Sequence, residues 1–385
     1  MSDAIRLLAD IPPVQAAAFG HRPAVQIEER TLSYAELDRR ADQTAGLLAA
    51  AGVKPGDRIG WLGRSSEAFF EIFFGAAKAR ACLAPINSRL AIPEIAFILQ
   101  DSGADLFFVT REFFDCARQV VNQVDRPIRL IGVGAAEAGF DSYEGLRDAA
   151  PEPPPAEPQL ADDVLQLYTS GTTGLPKGVR LNNVNYAAFL RLRTQVEGFN
   201  YGPDDTVLIV MPLFHVAGTN ISFSGLAAGG RVILLPEFRP AEVLRLIEQE
   251  KVAHVFLVPA MINMLLQTPE IETTDLSSLK SIAYGASPIG EAVLAKAKAQ
   301  FGCGFIQFYG MTETTGAGTY LAPAAHEGEL LRSWLISQVG PELASRLEST
   351  FPDGQPVIVP PGKAARKRSS HVRSGASVPR TPDTR

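Results

Sequence analysis

Cysteine is scarce in this sequence: Cys82, Cys116 and Cys303 are the only three in 385 residues, and they stand far apart. None has the paired spacing of a zinc site or redox motif, and an odd number does not make a disulfide framework. A reducing cytoplasm fits them. Positive charge is also in deficit, with 36 Lys and Arg against 42 Asp and Glu and a net charge of -6. That excludes an overall field able to gather nucleic acid or an anionic membrane surface. No apolar run approaches the roughly 20 residues of a membrane helix, so no transmembrane segment is expected. Residues 1–20 carry Arg6 but only short apolar pieces, broken by Asp10, Pro12 and Pro13, which makes a poor secretion signal. Histidine is rare too, and His21, His254, His326 and His371 share no ligand spacing, so no metal is assigned to them. Small-molecule chemistry is the remaining prior.

The chain is 46% hydrophobic and long enough for two or three units around a large core. Ser33 followed by Glu36 has the spacing of a capping box, and Leu37, Ala41, Leu47 and Leu48 recur with helical period until Gly52. Short apolar runs at 58–62, 105–109 and 128–133 alternate with helical patterns at 67–81 and 93–100. After the segment 151–158, PEPPPAEP, strands are expected at 164–168, 206–210, 231–235, 254–258 and 281–284, with helices at 241–251 and 289–300. This alternation predicts an α/β fold of stacked subdomains with parallel, helix-covered sheets. The expected division is a first α/β subdomain over 1–150, a Pro-rich extended connection over 151–158 and a second α/β subdomain over 159–322. Phe69, Phe70, Phe73 and Phe74 have helical spacing and are assigned to the core. From residue 323 the pattern deteriorates, and 361–385 collects Lys363, Arg366, Lys367, Arg368, Arg373, Arg380 and Arg385 among Ser, Pro and Gly. The stretch 323–385 is expected to be a largely disordered tail.

The sharpest motif is Tyr168-Thr-Ser-Gly-Thr-Thr-Gly-Leu-Pro-Lys177-Gly178, directly after an expected strand. Gly171 and Gly174 allow a tight loop with exposed backbone; Thr169, Ser170, Thr172 and Thr173 offer hydroxyls, and Lys177 a positive charge. These parts suit a polyphosphate. The motif is not a Walker A sequence, because Pro176 replaces its last Gly and Gly178 replaces its Ser or Thr.

In its length and order this segment resembles the phosphate-binding signature of the adenylate-forming (AMP-binding) superfamily: acyl-CoA synthetases, luciferases and peptide-synthetase adenylation domains. Two later segments fit the same family. Tyr284-Gly285-Ala286-Ser287-Pro288 resembles the turn that receives adenine, and Tyr309-Gly310-Met311-Thr312-Glu313 the motif that completes the site. The resemblance implies ATP and Mg²⁺, with Tyr309 stacked on adenine, Thr312 on phosphate and Glu313 as the metal ligand; a hard carboxylate oxygen suits Mg²⁺. His215, in Pro212-Leu-Phe-His-Val-Ala-Gly218, resembles the family's aromatic segment beside the acyl pocket, where a gating or positioning role is expected ahead of proton transfer. Gly218, Thr219, Tyr284, Gly285, Gly310 and Met311 are the other candidate pocket residues. Their small or apolar character suits a fatty or aryl acid, and no acidic residue in these segments stands ready for an amino group.

By this resemblance the chain activates a carboxylic acid to acyl-adenylate, and the family reaction continues to acyl-CoA with CoA as co-substrate. An acyl-AMP ligase delivering to a carrier protein is the alternative within enzymes. The resemblance covers about residues 10–325. Beyond it the family's Tyr-x-Thr-Gly-Asp segment, its late catalytic Lys and its small C-terminal domain are not recognisable, which fits a premature end such as a frameshift produces, and keeps open an inactive nucleotide-binding remnant. Asn183 stands where the family often carries His, a change expected to alter packing beside the phosphate loop.

Overall fold

The computed structural model describes residues 4–170 and 174–326. The tail assigned to disorder lies outside these residues from 327 onward; its first residues, Pro323–His326, form a short 3₁₀ turn.

Among the described residues the chain forms fifteen strands: β1 (Pro23–Ile27), β2 (Arg30–Ser33), β3 (Arg58–Leu62), β4 (Cys82–Pro85), β5 (Leu106–Thr110), β6 (Arg129–Val133), β7 (Asp141–Ser142), β8 (Asp163–Thr169), β9 (Lys177–Asn182), β10 (Thr206–Ile209), β11 (Arg231–Leu234), β12 (Val252–Leu257), β13 (Ser281–Gly285), β14 (Gly304–Tyr309) and β15 (Thr319–Leu321). The larger sheet has the order β15-β14-β13-β12-β10-β11-β1-β2, and the smaller the order β7-β6-β5-β3-β4-β8-β9. Both are parallel in their interiors and carry antiparallel pairs at edges: β14 with β15 and β1 with β2 in the larger sheet, β8 with β9 in the smaller.

The layering follows from which faces are apolar. Helices Ile11–Phe19, Tyr34–Ala50, Glu67–Lys78, Asn183–Gln195 and Val216–Ala227 share one core with inward-facing residues of both sheets. A second core lies between the larger sheet and helices Pro240–Gln249, Pro259–Leu266 and Glu291–Phe301. A third lies between the smaller sheet and helices Ile92–Ser102 and Phe114–Val121. The result is five layers, helices–sheet–helices–sheet–helices, as expected of parallel strands buried on both faces.

Local rules explain the middle layer. Ser33 Oγ accepts from Glu36 N at 3.3 Å and Glu36 Oε2 accepts from Ser33 N at 2.9 Å, so the capping box starts helix Tyr34–Ala50 where the spacing predicts. Phe69, Phe70, Phe73 and Phe74 are all inaccessible to solvent. They form one face of helix Glu67–Lys78, yet every residue from Ala68 to Ala77 is buried, because that helix packs between β1 of one sheet and β4 and β8 of the other. Phe223 of helix Val216–Ala227 stacks on Phe73 with centroids 4.5 Å apart. A buried carboxylate ties this layer together: Glu71 meets Arg40 at 2.7 Å and Arg147 at 2.8 Å and accepts from Tyr143 Oη at 3.0 Å.

The sheets do not coincide with the segments 1–150 and 159–322. β8 and β9 follow the Pro-rich connection in sequence yet complete the smaller sheet, and β1, with β2 on its outer side, leaves the first segment to pair with β11 in the larger. Periodicity reports where strands lie but carries no information on their partners, and the connection 151–158 simply leads from one strand neighbourhood into another.

Candidate active site

The phosphate-loop motif closes a hairpin. Thr169, at the end of β8, sits opposite Lys177, at the start of β9. Gly171, Thr172 and Thr173 lie outside the described residues; Ser170 and Gly174 on either side are exposed, and Gly174 takes a left-handed φ of 92° that favours glycine. Lys177 is exposed, and its ammonium has no hydrogen-bond or ion-pair partner among the described residues. A polar chain braces the hairpin from behind. Arg58 Nε donates to Gln166 Oε1 at 3.0 Å, Gln166 Nε2 donates to Tyr168 Oη at 2.9 Å, and Tyr168 Oη donates to Asp101 Oδ2 at 2.6 Å. Burial, helped by the Asp101 carboxylate, pushes the Tyr168 hydroxyl pKa up, so it stays a donor. A Cβ on Gly178 would lie 2.5 Å from Gln166 Nε2 and 3.0 Å from the Tyr168 ring, so a larger residue there would have to push these side chains aside.

The other segments leave the larger sheet. β11 and β12 flank β10 on opposite sides, so the strand order reverses there, and ligands of open α/β sheets sit outside the carboxyl ends at such a point. The His215 segment follows β10, Gly285-Ala286-Ser287 follows β13, and Tyr309 to Glu313 follow β14, all from carboxyl ends. A Cβ on Gly285 would overlap the Phe308 carbonyl oxygen, so glycine is required for β13 to pair that closely with β14. Ala286 then adopts φ 68°, unusual for a residue with a Cβ, and both it and Ser287 are exposed. Tyr309 is 59% exposed and Met311 54%, leaving an uncovered aromatic face at the end of β14. Thr312–Thr314 form a 3₁₀ turn in which Thr314 N and Oγ1 bond to Met311. Thr312 is half-buried; Glu313 is exposed and has no partner among the described residues.

These pieces meet across the two sheets. β9, which begins at Lys177, and the turn Thr312–Thr314 come within 8 Å of each other at Cα.

A family model described as AMP-binding enzyme matches residues 13–353. The chain belongs to the AMP-binding enzyme family. The match runs beyond the Leu321-Ala-Pro323 point at which the sequence pattern fades. The chain is 36% identical over 343 residues to the fatty acid–[acyl-carrier-protein] ligase ScoC of Streptomyces coeruleorubidus, covering 88% of this chain and 64% of that one. It is 36% identical over 369 residues to the feruloyl-CoA synthase of an Amycolatopsis species, covering 95% of this chain and 70% of that protein. The crystal structure of the N-terminal domain of FACL13 from Mycobacterium tuberculosis superposes with a TM-score of 0.75 at 28% identity, over 83% of this chain and 79% of that one. The chain spans a little under two thirds of the ScoC ligase.

In this AMP-binding enzyme, the residues expected beside the acyl pocket divide. His215 caps helix Val216–Ala227, with its ring 4.7 Å from Phe214. Loss of solvation among its neighbours, and then the charge of Arg89, hold its pKa below the ordinary imidazole value. It is therefore a neutral imidazole at neutral pH. Gly218 is buried where a Cβ would overlap the Pro212 carbonyl oxygen. Thr219 and Tyr284 are buried as well: Thr219 Oγ1 donates to Val216 O at 3.1 Å, and Tyr284 Oη lies 3.0 Å from His326 Nε2. Burial pushes the Tyr284 hydroxyl up to about 12. Gly310 and Met311 remain at the open surface beside Tyr309.

Asn183 packs, but not beside the phosphate loop: it follows Asn182, which pairs with Asp163 at the opposite end of the β8–β9 hairpin. Asn183 Oδ1 accepts from Leu8 N at 3.3 Å and its Nδ2 donates to Gln159 O at 2.9 Å, joining the chain's start to the segment before β8. His254 is structural: it bridges Ser281 Oγ at 2.8 Å and Asp205 Oδ2 at 3.2 Å at the opposite, amino end of the larger sheet. No three His, Cys, Asp or Glu side chains among the described residues gather to hold a metal. Also among the described residues, no helix is long and apolar enough to cross a membrane. The brace of Arg58, Gln166, Tyr168 and Asp101, and the contacts of Asn220 taken up below, escape motif reading. Their only sequence signal is polar side chains inside expected strands or helices.

Proposed function

We propose that this chain activates a carboxylic acid with ATP. A substrate carboxylate oxygen attacks the α-phosphorus in line, the bond from that phosphorus to the bridging oxygen breaks, and acyl-adenylate and pyrophosphate form. The observation that carries this reading is that β9, the strand that begins with Lys177, packs against the Thr312–Thr314 turn that carries Glu313, both side chains being exposed. Lys177 neutralises charge that develops on the phosphates, aided by the hydroxyls and N–H groups of Thr169, Ser170, Gly171, Thr172, Thr173 and Gly174. Tyr309 stacks on the adenine, Gly285, Ala286 and Ser287 border it, and Thr312 donates to phosphate. Glu313, a lone exposed carboxylate, fits Mg²⁺, which supplies charge neutralisation on the phosphate oxygens. No general base is needed, because the attacking carboxylate is already ionised.

The acid is of the fatty or aryl class, supported by apolar Met311 and the small residues Gly285 and Gly310 at the carboxyl ends of β13 and β14, and by relatives named for fatty and ferulic acids. His215 orients the acid as a neutral group. CoA is the proposed thiol acceptor, as in the name of feruloyl-CoA synthase. A carrier-protein thiol is a second reading, favoured by the similarity to ScoC. The proposed compartment is the cytoplasm, consistent with three free cysteines.

The test is ATP–pyrophosphate exchange by the purified chain across fatty, aryl and amino acids, with Lys177→Ala and Glu313→Ala alongside. Exchange that depends on one acid class and falls at least roughly a hundredfold in both variants is expected, as for loss of a charged transition-state contact. Folded protein that binds ATP yet catalyses no exchange with any acid would sink the proposal in favour of a nucleotide-binding remnant.

A further inference from the structure

Helix Val216–Ala227 is buried over nearly its whole length although it carries Thr219, Asn220, Ser222 and Ser224. Buried polar side chains need partners, and two of these use their own helix: Thr219 Oγ1 donates to Val216 O at 3.1 Å and Ser222 Oγ to Gly218 O at 2.7 Å. Asn220 does not. It is 2% exposed, and its Nδ2 reaches out of the helix to donate to Thr315 O at 2.7 Å, across 95 residues of sequence.

The acceptor sits in an unusual place. Thr315 has φ 55° and Gly316 φ 79°, two left-handed residues in succession that end the Thr312–Thr314 turn. Left-handed geometry is costly for a β-branched residue and persists where surrounding contacts impose it. Thr315 N bonds to Thr312 O at 2.9 Å and Gly316 N to Met311 O at 2.9 Å, so the loop is bonded tightly to itself. What orients it as a unit is contact from outside. Asn220 supplies the hydrogen bond, and a Cβ on Gly316 would lie 2.9 Å from Asn220 Nδ2 and 3.3 Å from Val216. His215 is the N-cap residue of the same helix, five residues before Asn220.

We propose that Asn220 is a positioning residue that sets where Thr312 and Glu313 stand relative to the His215 end of its helix, and so couples the acid side of the site to the phosphate and magnesium side. The proposal rests on the acid-activating reading above. Thr315 O is buried with Asn220, so removing the amide leaves an acceptor unsatisfied and releases a loop whose own geometry is strained.

The test compares wild type with Asn220→Leu, of similar shape without the donor, and Asn220→Gln, which restores a donor one methylene farther out. Amide hydrogen exchange of the ligand-free protein is the first readout. In Asn220→Leu, residues 311–317 should exchange roughly tenfold faster, the scale of one lost buried hydrogen bond, while β12 and β13 keep wild-type protection and Asn220→Gln recovers part of the change. Pyrophosphate exchange is the second. The magnesium midpoint should rise and kcat fall, with KM for the acid within about twofold of wild type. Unchanged exchange at 311–317, or an increase spread evenly over the sheet, overturns the proposal, since a merely structural residue would loosen everything together. A wild-type chain without acid-dependent exchange overturns the function reading instead, and the positioning claim is then decided by hydrogen exchange alone.

Discussion

Replacing Gly285 with alanine tests whether close strand pairing shapes the adenine side of the site. Gly285 pairs with Phe308 in the parallel ladder of β13 and β14, and an added Cβ would overlap the Phe308 carbonyl oxygen, a backbone atom that cannot rotate away. The strands must part by several tenths of an ångström, at an overpacking cost of about 1–3 kcal/mol. Weakening one ladder bond adds about 1 kcal/mol, so the total is about 2–4 kcal/mol. A folded body of about 320 residues has an unfolding entropy of about 0.7 kcal/mol/K, and Tm should fall by roughly 3–6 °C. Gly145→Ala is the control with the opposite sign. It lies in helix Tyr143–Asp148, where a Cβ meets only Ser142 at ordinary contact distances of 3.4 and 3.5 Å. Alanine there should stabilise by about 0.5–1 kcal/mol through backbone entropy. Thermal unfolding followed by circular dichroism decides the matter: if Gly285→Ala melts within about 1 °C of wild type, the tight gap is not enforced and the explanation of that glycine is wrong.

Glu71→Ala leaves Arg40, Arg147 and Tyr143 around an empty space. The loss should be about 3–5 kcal/mol, read as a lower urea midpoint, and a loss below about 1 kcal/mol would mean that water replaces the carboxylate without penalty. The capping box predicts a pH effect. Its hydrogen bonds from Ser33 hold the Glu36 carboxyl below its ordinary pKa. The stabilisation is therefore complete above the unfolded carboxyl pKa of about 4.3 and is lost as pH falls through the lower folded value. Ser33→Ala should cost about 1 kcal/mol at neutral pH and proportionately less in acid; a penalty that does not shrink in acid contradicts the assignment. His215, already neutral at neutral pH, predicts that pyrophosphate exchange by His215→Asn runs parallel to wild type between about pH 7 and 8.5. An inflection present only in wild type over that range would make the imidazole a proton carrier.

Much of the fold was legible because its strands and amphipathic helices carry their periods openly. The expected strand at 58–62 is Arg58–Leu62, and the expected helix at 241–251 is Pro240–Gln249. Helix Val216–Ala227 escaped because it is buried on all sides and rich in Gly, Ser and Thr, so no apolar stripe marks it. β9 escaped because the turn before it reads as a phosphate loop, and nothing in Lys177-Gly-Val-Arg-Leu announces that the chain folds straight back on β8. At the site, the residues expected to touch substrate come in contiguous motifs, from Thr169 to Glu313, which is the form a sequence can display. Residues that hold those motifs, Asn220, Gln166 and Asp101, act through one or two contacts each, 2 to 108 residues away in sequence. Such contacts have no local signature.

The crossing of strands between the two sheets has a consequence for synthesis. Val25 of β1 finds its parallel neighbour in Val232, which emerges from the ribosome about 200 residues later. At about 5–20 residues per second the interval is roughly 10–40 s. For that time the hairpin of β1 and β2 is a two-stranded ribbon with apolar faces and an unfilled edge, a form seldom stable by itself. The smaller sheet, by contrast, can assemble β3 to β6 as they arrive. Whatever shields the first hairpin during those seconds, a chaperone or the nascent helices beside it, bears on the yield of this protein as directly as any contact in the finished fold.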